Sequence, residues 1–352
     1  MDMTQINPKP KLIALELTRA CNLACRHCRA SALASVSAPS QPELDELSTV
    51  EVENLIDSIA SFCKPVIILT GGEPLLRSDV FEIARYINAK GLNAALATNA
   101  TIVTPEVAAK IKQSGIARVS VSIDGASAKT HDEFRGVRGA YAASMQGIKH
   151  LLNAGVEVQI NVTIAKHNLA EVQQILELAK QLKVHALHIF MLVPVGRGKQ
   201  IQELSPEECE NVLNWFYDAQ RTEASLSFKA TCAPHYHRIM HQRGLLKQHK
   251  SHLDRVTKGC LAANGFCFIS SLGDVQACGY LPLAVGNIRN KSFAEIWFNS
   301  REFQELRDPE KLKGKCGLCE FKKVCGGCRA RAYARYGDYL EEEPYCLYQP
   351  KR

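Results

Sequence analysis

Cys21, Cys25 and Cys28 stand in the run TRACNLACRHC over residues 18–28, with three and then two residues between them. Thiolates are soft ligands that suit iron–sulfur clusters or zinc, and three of them on one tight loop can hold three irons of a cubane while leaving the fourth without a protein ligand. An iron left bare in this way is a place for chemistry. A structural zinc site needs a fourth Cys or His at short range. His27 is the residue on offer, but it lies inside the loop between two of the ligands.

A second motif, Thr70-Gly71-Gly72-Glu73-Pro74, follows the next strand-like run. Its glycines let backbone approach a ligand closely, and Glu73 places an acceptor where an ammonium group could be met; the same residues would also make a simple turn. Asn99, in ATNA over 97–100, is a candidate for hydroxyl contacts, although Asn99 and Asp124 read equally as turn residues. His131 and His167 lie on nearby loops and read as solvated side chains.

The carboxy-terminal end carries a cysteine array. Cys260 is followed after twelve residues by Gly273 and after four more by Cys278; then come Cys316-x2-Cys319-x5-Cys325-x2-Cys328 and Cys346, with Cys267 as an eighth. Eight thiolates are the number that ligates two cubanes fully, while paired Cys-x2-Cys is also the hallmark of a zinc ribbon. Cys63 reads as a buried small hydrophobe and Cys209 as incidental. Cys232, in KATCAPHYHR over 229–238, has a functional alternative, contact with a substrate or with a metal in it.

These motifs need a scaffold. Strand candidates fall at 12–17, 66–70, 93–98, 118–123, 157–164 and 186–192, separated by helix candidates near 48–62, 77–90, 105–114, 139–154, 168–182 and 205–222. Parallel strands require crossover helices, and those crossovers are right-handed, so the alternation implies an α/β parallel sheet covered by helices, doubly wound or bent toward a barrel. Functional residues then belong on loops at the carboxyl ends of the strands, where each motif above falls. After residue 225 the alternation stops. Residues 226–257 read as a connector or lid, and 258–352 as a domain organised by metal, with a short helix candidate at 292–306 and too few apolar residues for a core of its own.

With 352 residues and 46% hydrophobic composition, the chain fits one large domain and a smaller one. The formal charge of +7 comes without a basic run of the kind that marks nucleic-acid tails, so it is either a solvated surface or an attraction for an anionic substrate. No run approaches the roughly 18 apolar residues of a membrane span, and the first residues have no signal-peptide pattern, which places the protein in the cytoplasm. There, 14 cysteines point to metal rather than to disulfides.

The C-x3-C-x2-C loop directly after LIALEL at 12–17, followed one strand later by GGEP, resembles the signature of the radical SAM enzymes. That resemblance implies a partial (βα)6 barrel over 1–225 and a 4Fe–4S cluster on Cys21, Cys25 and Cys28. The bare iron would be chelated by S-adenosylmethionine, whose reductive cleavage gives a 5′-deoxyadenosyl radical. It further implies that Gly71, Gly72 and Glu73 hold the amino group of the methionine half, that Ser122 reaches the ribose or carboxylate, and that Arg135 pairs with the carboxylate. His27 departs from the aromatic residue usual at its position. The carboxy-terminal array resembles the SPASM domain and implies two auxiliary 4Fe–4S clusters, one on Cys260, Cys267, Cys278 and Cys328, the other on Cys316, Cys319, Cys325 and Cys346. The family's usual three residues before the last of the central cysteines are shortened here to Gly326-Gly327.

Within that family, residues 18–32, LVPVGRGK at 192–199, the Cys232 segment, GFCFIS at 265–270 and CGGCRARAYA at 325–334 are similar to the radical SAM heme synthases of siroheme-dependent heme biosynthesis. The resemblance implies iron-coproporphyrin III as substrate, oxidative decarboxylation of two propionates to vinyls to give protoheme, and a small redox protein as electron donor. A planar tetra-anion wants cationic anchors, for which Arg29, Arg197, Lys199, Arg238, Arg329 and Arg331 are available, and Cys232, His235 or His237 could serve its iron as axial ligand. Three rivals share features of the pattern. A neighbouring heme-pathway enzyme removes acetate side chains from didecarboxysiroheme. A peptide maturase often carries an amino-terminal leader-binding domain, for which residues 1–11 leave no room. A non-catalytic iron–sulfur carrier would have no use for the GGEP loop.

Overall fold

The computed structural model describes residues 8–34, 45–244 and 259–351. Its strands are β1 (Leu12–Glu16), the two-residue pair β2 (Ala20–Cys21) and β3 (Leu33–Ala34), β4 (Val66–Thr70), β5 (Asn93–Thr98), β6 (Arg118–Ser122), β7 (Glu157–Ile164), β8 (Ala186–Met191), β9 (Ser227–Thr231), β10 (Phe266–Ile269), β11 (Asp274–Cys278) and β12 (Leu281–Asn287). All but β2 and β3 form one sheet in the order β12-β11-β10-β1-β4-β5-β6-β7-β8-β9. Every pairing from β10 through β1 to β9 is parallel, and β11 and β12 are antiparallel additions at one edge.

The pleat sorts the residues of each strand onto two faces. Ile13, Leu15, Ile67, Leu69, Ala94, Leu96, Val119 and Val121 are fully or nearly fully buried in the main core. Their neighbours Leu12, Ala14, Val66, Ile68, Ala95, Ala97, Arg118 and Ser120 line one continuous cavity. Because residues from every strand between β10 and β9 meet around that space, the sheet is bent into a barrel, and β9 and β12 leave it open.

The barrel helices are α1 (Thr49–Ala60), α2 (Val80–Ala89), α3 (Pro105–Gln113), α4 (Ala128–Arg135), α5 (Ala140–Asn153), α6 (Val172–Gln181) and α7 (Pro206–Thr222). Helix α1 buries Val52, Leu55, Ile56 and Ile59, one stripe at helical spacing, and starts at a Ser48–Glu51 capping box. Helix α7 begins with the same device at Ser205 and Glu208.

Three regions depart from the sequence reading. Helix α4 has no apolar stripe to announce it, but Ser127 accepts from the Thr130 N–H and Gly136 ends the helix at φ 72°. Residues 227–243, read as connector, form strand β9 and helix α8 (His235–Arg243) instead; SFKAT is half-buried at every position and so shows no alternation. The remaining connector residues 245–257 lie outside the described residues. The cysteine-rich end has a core by sharing that of the barrel. Strand β10 pairs with β1, and Phe293, Trp297 and Phe303 are buried in the same core as the barrel. The candidate helix 292–306 breaks at Ser300 into α9 (Phe293–Asn299) and α10 (Arg301–Arg307), and α11 (Gly314–Leu318) and α12 (Arg329–Tyr336) follow.

Candidate active site

The loop leaving the carboxyl end of β1 presents its sulfurs to hydrogen-bond donors. The Leu23 N–H points at Cys21 Sγ and the Ala32 N–H at Cys28 Sγ, each at 3.4 Å, and Arg135 Nη1 reaches Cys25 Sγ at 3.6 Å. Such donors favour thiolates. Burial opposes them, pushing the Cys21 thiol up to about 12 and outweighing Arg135 at Cys25; a metal bound by these sulfurs would displace their protons. No fourth ligand among the described residues closes the set. The His27 ring is engaged elsewhere, stacked on Phe134 at 4.1 Å with Nε2 3.5 Å from Asp124 Oδ2. Among the described residues no group of three or more His, Cys, Asp or Glu side chains is gathered as a site for a single metal ion. The donor set therefore fits a cubane with one corner free.

Three elements hold this loop. The last carbonyls of α4 accept its backbone, Arg135 O from the Ala24 N–H at 3.2 Å and Phe134 O from the Arg26 N–H at 2.9 Å. Arg197 donates from Nε to Cys25 O at 2.9 Å, from Nη1 to Ala32 O at 3.1 Å, and from its backbone N–H to Cys28 O at 3.0 Å. The glycine loop supplies the third. A Cβ on Gly72 would sit 2.2 Å from Ala20 O, and one on Gly71 2.6 Å from Thr18 O, so both glycines serve first to let the two loops touch. The Gly72 and Glu73 N–H groups then bond Thr18 O and Ala20 O at 2.8 Å.

Glu73 lies beneath this junction, fully buried, and does not line the cavity. Its carboxylate accepts from Thr98 Oγ1 at 2.7 Å, the Asn99 N–H at 2.8 Å and the Leu75 N–H at 3.2 Å. Burial raises it to about 7 against those bonds. Gly71, Gly72, Asn99, Ser122 and Arg135 do reach the cavity. Asn99 donates to Asn22 Oδ1 at 2.8 Å and so steadies the cysteine loop. Arg135 is already paired, with Nη2 2.5 Å from Asp124 Oδ2. Asp124 is no mere turn residue: it is fully buried, it accepts the Thr163 N–H at 2.7 Å, and although burial raises its carboxyl, Arg135 and His27 hold it below its ordinary range. His131, read as solvated, is also fully buried, with Nδ1 taking the Asp124 N–H at 3.2 Å.

The cavity fills the barrel and has a volume of about 510 Å³. Arg29, Arg118, Arg135, Arg197, Lys229 and Arg329 line it, whereas no Asp or Glu among the described residues does. Phe190, Phe228, Phe266, Phe268 and Tyr280 supply apolar faces. Arg118, Gln159, His188, Lys229 and Tyr280 were missed in the sequence. The signal was there for the strand residues: His188 is the one polar side chain of β8, and Arg118 and Gln159 share their inward faces with Ser120 and Ser122 on β6 and Asn161 and Thr163 on β7, opposite apolar residues that face the core.

The proposed substrate anchors divide. Arg29, Arg197 and Arg329 line the cavity, as do Cys232 and His237. Arg238 and His235 do not; they face a separate small pocket. Lys199 is exposed, and Arg331 is a fully buried strut that joins Cys232 O, at 2.7 Å, to the Glu343 carboxylate.

The auxiliary cysteines fall into two groups. Cys316, Cys319, Cys325 and Cys346 line the small pocket together. Glu343 N–H and Gly327 N–H point at Cys316 Sγ and Cys325 Sγ at 3.3 and 3.4 Å. Cys260, Cys278 and Cys328 stand on the wall of the large cavity. Cys267 is not with them. It pairs in register with Ile13 on the face of β10 opposite Phe266 and Phe268, fully buried beside Cys63, and strand alternation keeps its sulfur on the far side of the sheet. Cys63 and Cys209 are buried as well.

The sequence profile of the Radical SAM superfamily matches residues 15–179, and that of the iron–sulfur cluster-binding SPASM domain matches residues 260–328. The chain is 54% identical over 353 residues to the AdoMet-dependent heme synthase of Methanosarcina barkeri, covering 99% of either chain. It is 32% identical to the Fe-coproporphyrin III synthase of the same organism, over 96% of this chain and 88% of that one. Among solved structures, Streptococcus suis SuiB bound to S-adenosylmethionine has the same fold, with a TM-score of 0.74 over 96% of this chain and 77% of that one at 17% identity.

Proposed function

The chain belongs to the radical SAM superfamily with a SPASM domain, and from that premise we propose that it converts iron-coproporphyrin III to protoheme by oxidative decarboxylation of two propionates. The enzyme uses S-adenosylmethionine, a 4Fe–4S cluster and auxiliary iron–sulfur clusters. When bound, the first cluster and S-adenosylmethionine supply a 5′-deoxyadenosyl radical able to take a hydrogen atom from an unactivated carbon.

The chain's own residues do the rest. Cys21, Cys25 and Cys28 hold the cluster, and the surface from Gly71 and Gly72 across Asn99 to Ser122 offers the methionine and ribose groups a polar seat beside it. Arg135, shared between Asp124 and Cys25, keeps a positive charge next to that seat. Each propionate that becomes a vinyl loses a hydrogen atom, carbon dioxide and one electron. Arg29, Arg118 and Lys229 counter the carboxylates of a tetra-anion, and the aromatic faces suit a flat ring. A small redox protein as donor and a cytoplasmic setting belong to this reading.

The observation that carries it is the lining: a barrel-sized cavity, basic and aromatic, with no acid among the described residues that line it, running up to the three-cysteine loop. The greater likeness to the heme synthase than to the Fe-coproporphyrin III synthase supports decarboxylation over acetate removal. Anaerobic incubation with iron-coproporphyrin III, S-adenosylmethionine and a reductant should yield a porphyrin lighter, as the acid, by two carbon dioxide and four hydrogen atoms. An unchanged porphyrin, with acetate removed instead from didecarboxysiroheme, overturns the proposal.

A further inference from the structure

We propose that Cys232, from the segment after β9, and not Cys267, completes the ligand set of the auxiliary cluster at the cavity wall. Four thiolates close a cubane, and the carboxy-terminal array brings only Cys260, Cys278 and Cys328 to this wall. Cys232 lines the same wall as Cys328. Cys278 is a further neighbour of both. Cys267, by contrast, is held on the opposite face of β10 by the register of that strand with β1.

The position of Cys232 is built rather than incidental. Its backbone takes a left-handed conformation at φ 54°, rare for a residue with a side chain, and its carbonyl is pinned by Arg331 Nη2 at 2.7 Å. Arg331 in turn is fixed by both Glu343 oxygens at 2.9 Å, and Glu343 Oε2 accepts the Cys328 N–H at 2.7 Å. One buried ion pair thus sets Cys232 and Cys328 relative to each other. Cys232 also lies outside the residues matched by the iron–sulfur domain profile, so the ligand comes from the barrel side.

The consequence is chemical. With three thiolates this cluster would show an open iron to the cavity and could bind substrate directly; with four it is closed and suited to taking electrons. The inference rests on the family's auxiliary clusters and not on the substrate proposed above.

The full chain is loaded anaerobically and compared with Cys232→Ala, Cys232→Ser and Cys267→Ala by iron and sulfide content and by low-temperature EPR of the reduced clusters. Cys267→Ala should match the parent in both. Cys232→Ala should lose iron or change one auxiliary signal, and Cys232→Ser should shift that signal while keeping more of the iron. In the unsubstituted chain, Cys232 should resist alkylation until iron is chelated, a mass-spectrometric readout that needs no variant. Parent-like spectra in both Cys232 variants, loss of the signal in Cys267→Ala, or alkylation of Cys232 in the loaded chain each overturns the inference. Retained iron with a shifted Soret band of bound iron-porphyrin in Cys232→Ala would make Cys232 a ligand of the substrate iron instead, and also overturns it.

Discussion

Replacing Glu343 by Gln removes a charge from the most deeply buried ion pair of the described residues without changing the side chain's shape. Glu343 and Arg331 are each 1% exposed, and Arg331 Nη1 bonds both carboxylate oxygens at 2.9 Å. The remaining guanidinium donors are tied to backbone, Nη2 to Cys232 O at 2.7 Å and Nε to Leu192 O at 3.3 Å, so Arg331 cannot turn toward water. Leaving one partner of a buried pair uncompensated costs about 3–5 kcal/mol. At about 2–4 °C per kcal/mol for domains of 150–250 residues, the melting temperature of the loaded protein should fall by roughly 6–20 °C. The double variant Glu343→Gln/Arg331→Met should recover much of that loss, because a neutral pair carries no stranded charge. Differential scanning calorimetry of the anaerobically loaded single and double variants reads both quantities. A single-variant drop below about 3 °C, or a double variant as unstable as the sum of the two singles, would refute the view of this pair as the strut between barrel and cysteine-rich end.

Gly72→Ala should cost the protein its first cluster, because a Cβ there meets the Ala20 carbonyl at 2.2 Å and backbone must move; iron per chain and the SAM-dependent EPR signal check it. Arg197→Lys retains the charge and the backbone bond to Cys28 O but can replace only part of the two side-chain bonds to the cysteine loop, so iron should leave that cluster several-fold faster under a chelator. Arg118→Met should weaken binding of iron-coproporphyrin III by about tenfold or more, the loss of one charged hydrogen bond, while exposed Lys199→Met should change it little; absorbance titration separates the two. Glu51 sits at about 2, held down mainly by its hydrogen bond from Arg289. Its folded value is depressed, so its contribution is present above the unfolded carboxylate range near ~4.3 and is lost as pH falls toward about 2. The pair is solvent-screened, so Glu51→Gln should lower stability at neutral pH by less than ~1 kcal/mol, a gap that narrows in acid when followed by urea denaturation.

Much of the barrel was legible because buried parallel strands and their helices each carry a strong period. The strand candidates at 66–70, 93–98 and 157–164 coincide with β4, β5 and β7, and the others differ by a residue at one end. What escaped was short, polar or non-local. Helix α4 carries Arg135 yet has no apolar stripe, and its only local signs are Ser127 and Gly136 at its ends. The pairing of Arg135 with Asp124, and of Arg331 with Glu343, joins residues that no spacing rule connects. The same holds for sulfur. Counting cysteines could assign Cys267 to a cluster, but only the register of β10 against β1 shows which face its thiol takes. Arg197 and Arg331 looked like anchors because positive charge is visible in sequence; the carbonyls they clamp are not.

In the reaction proposed, the three-cysteine loop and the basic cavity bring a SAM-derived radical to the propionates of a tetrapyrrole. Iron-coproporphyrin III deuterated at the propionate carbons next to the ring tests it most directly, with the 5′-deoxyadenosine recovered after turnover examined by mass spectrometry. Each 5′-deoxyadenosine formed should carry one deuterium, with two such molecules for each protoheme. Unlabelled 5′-deoxyadenosine accompanying protoheme formation would contradict it.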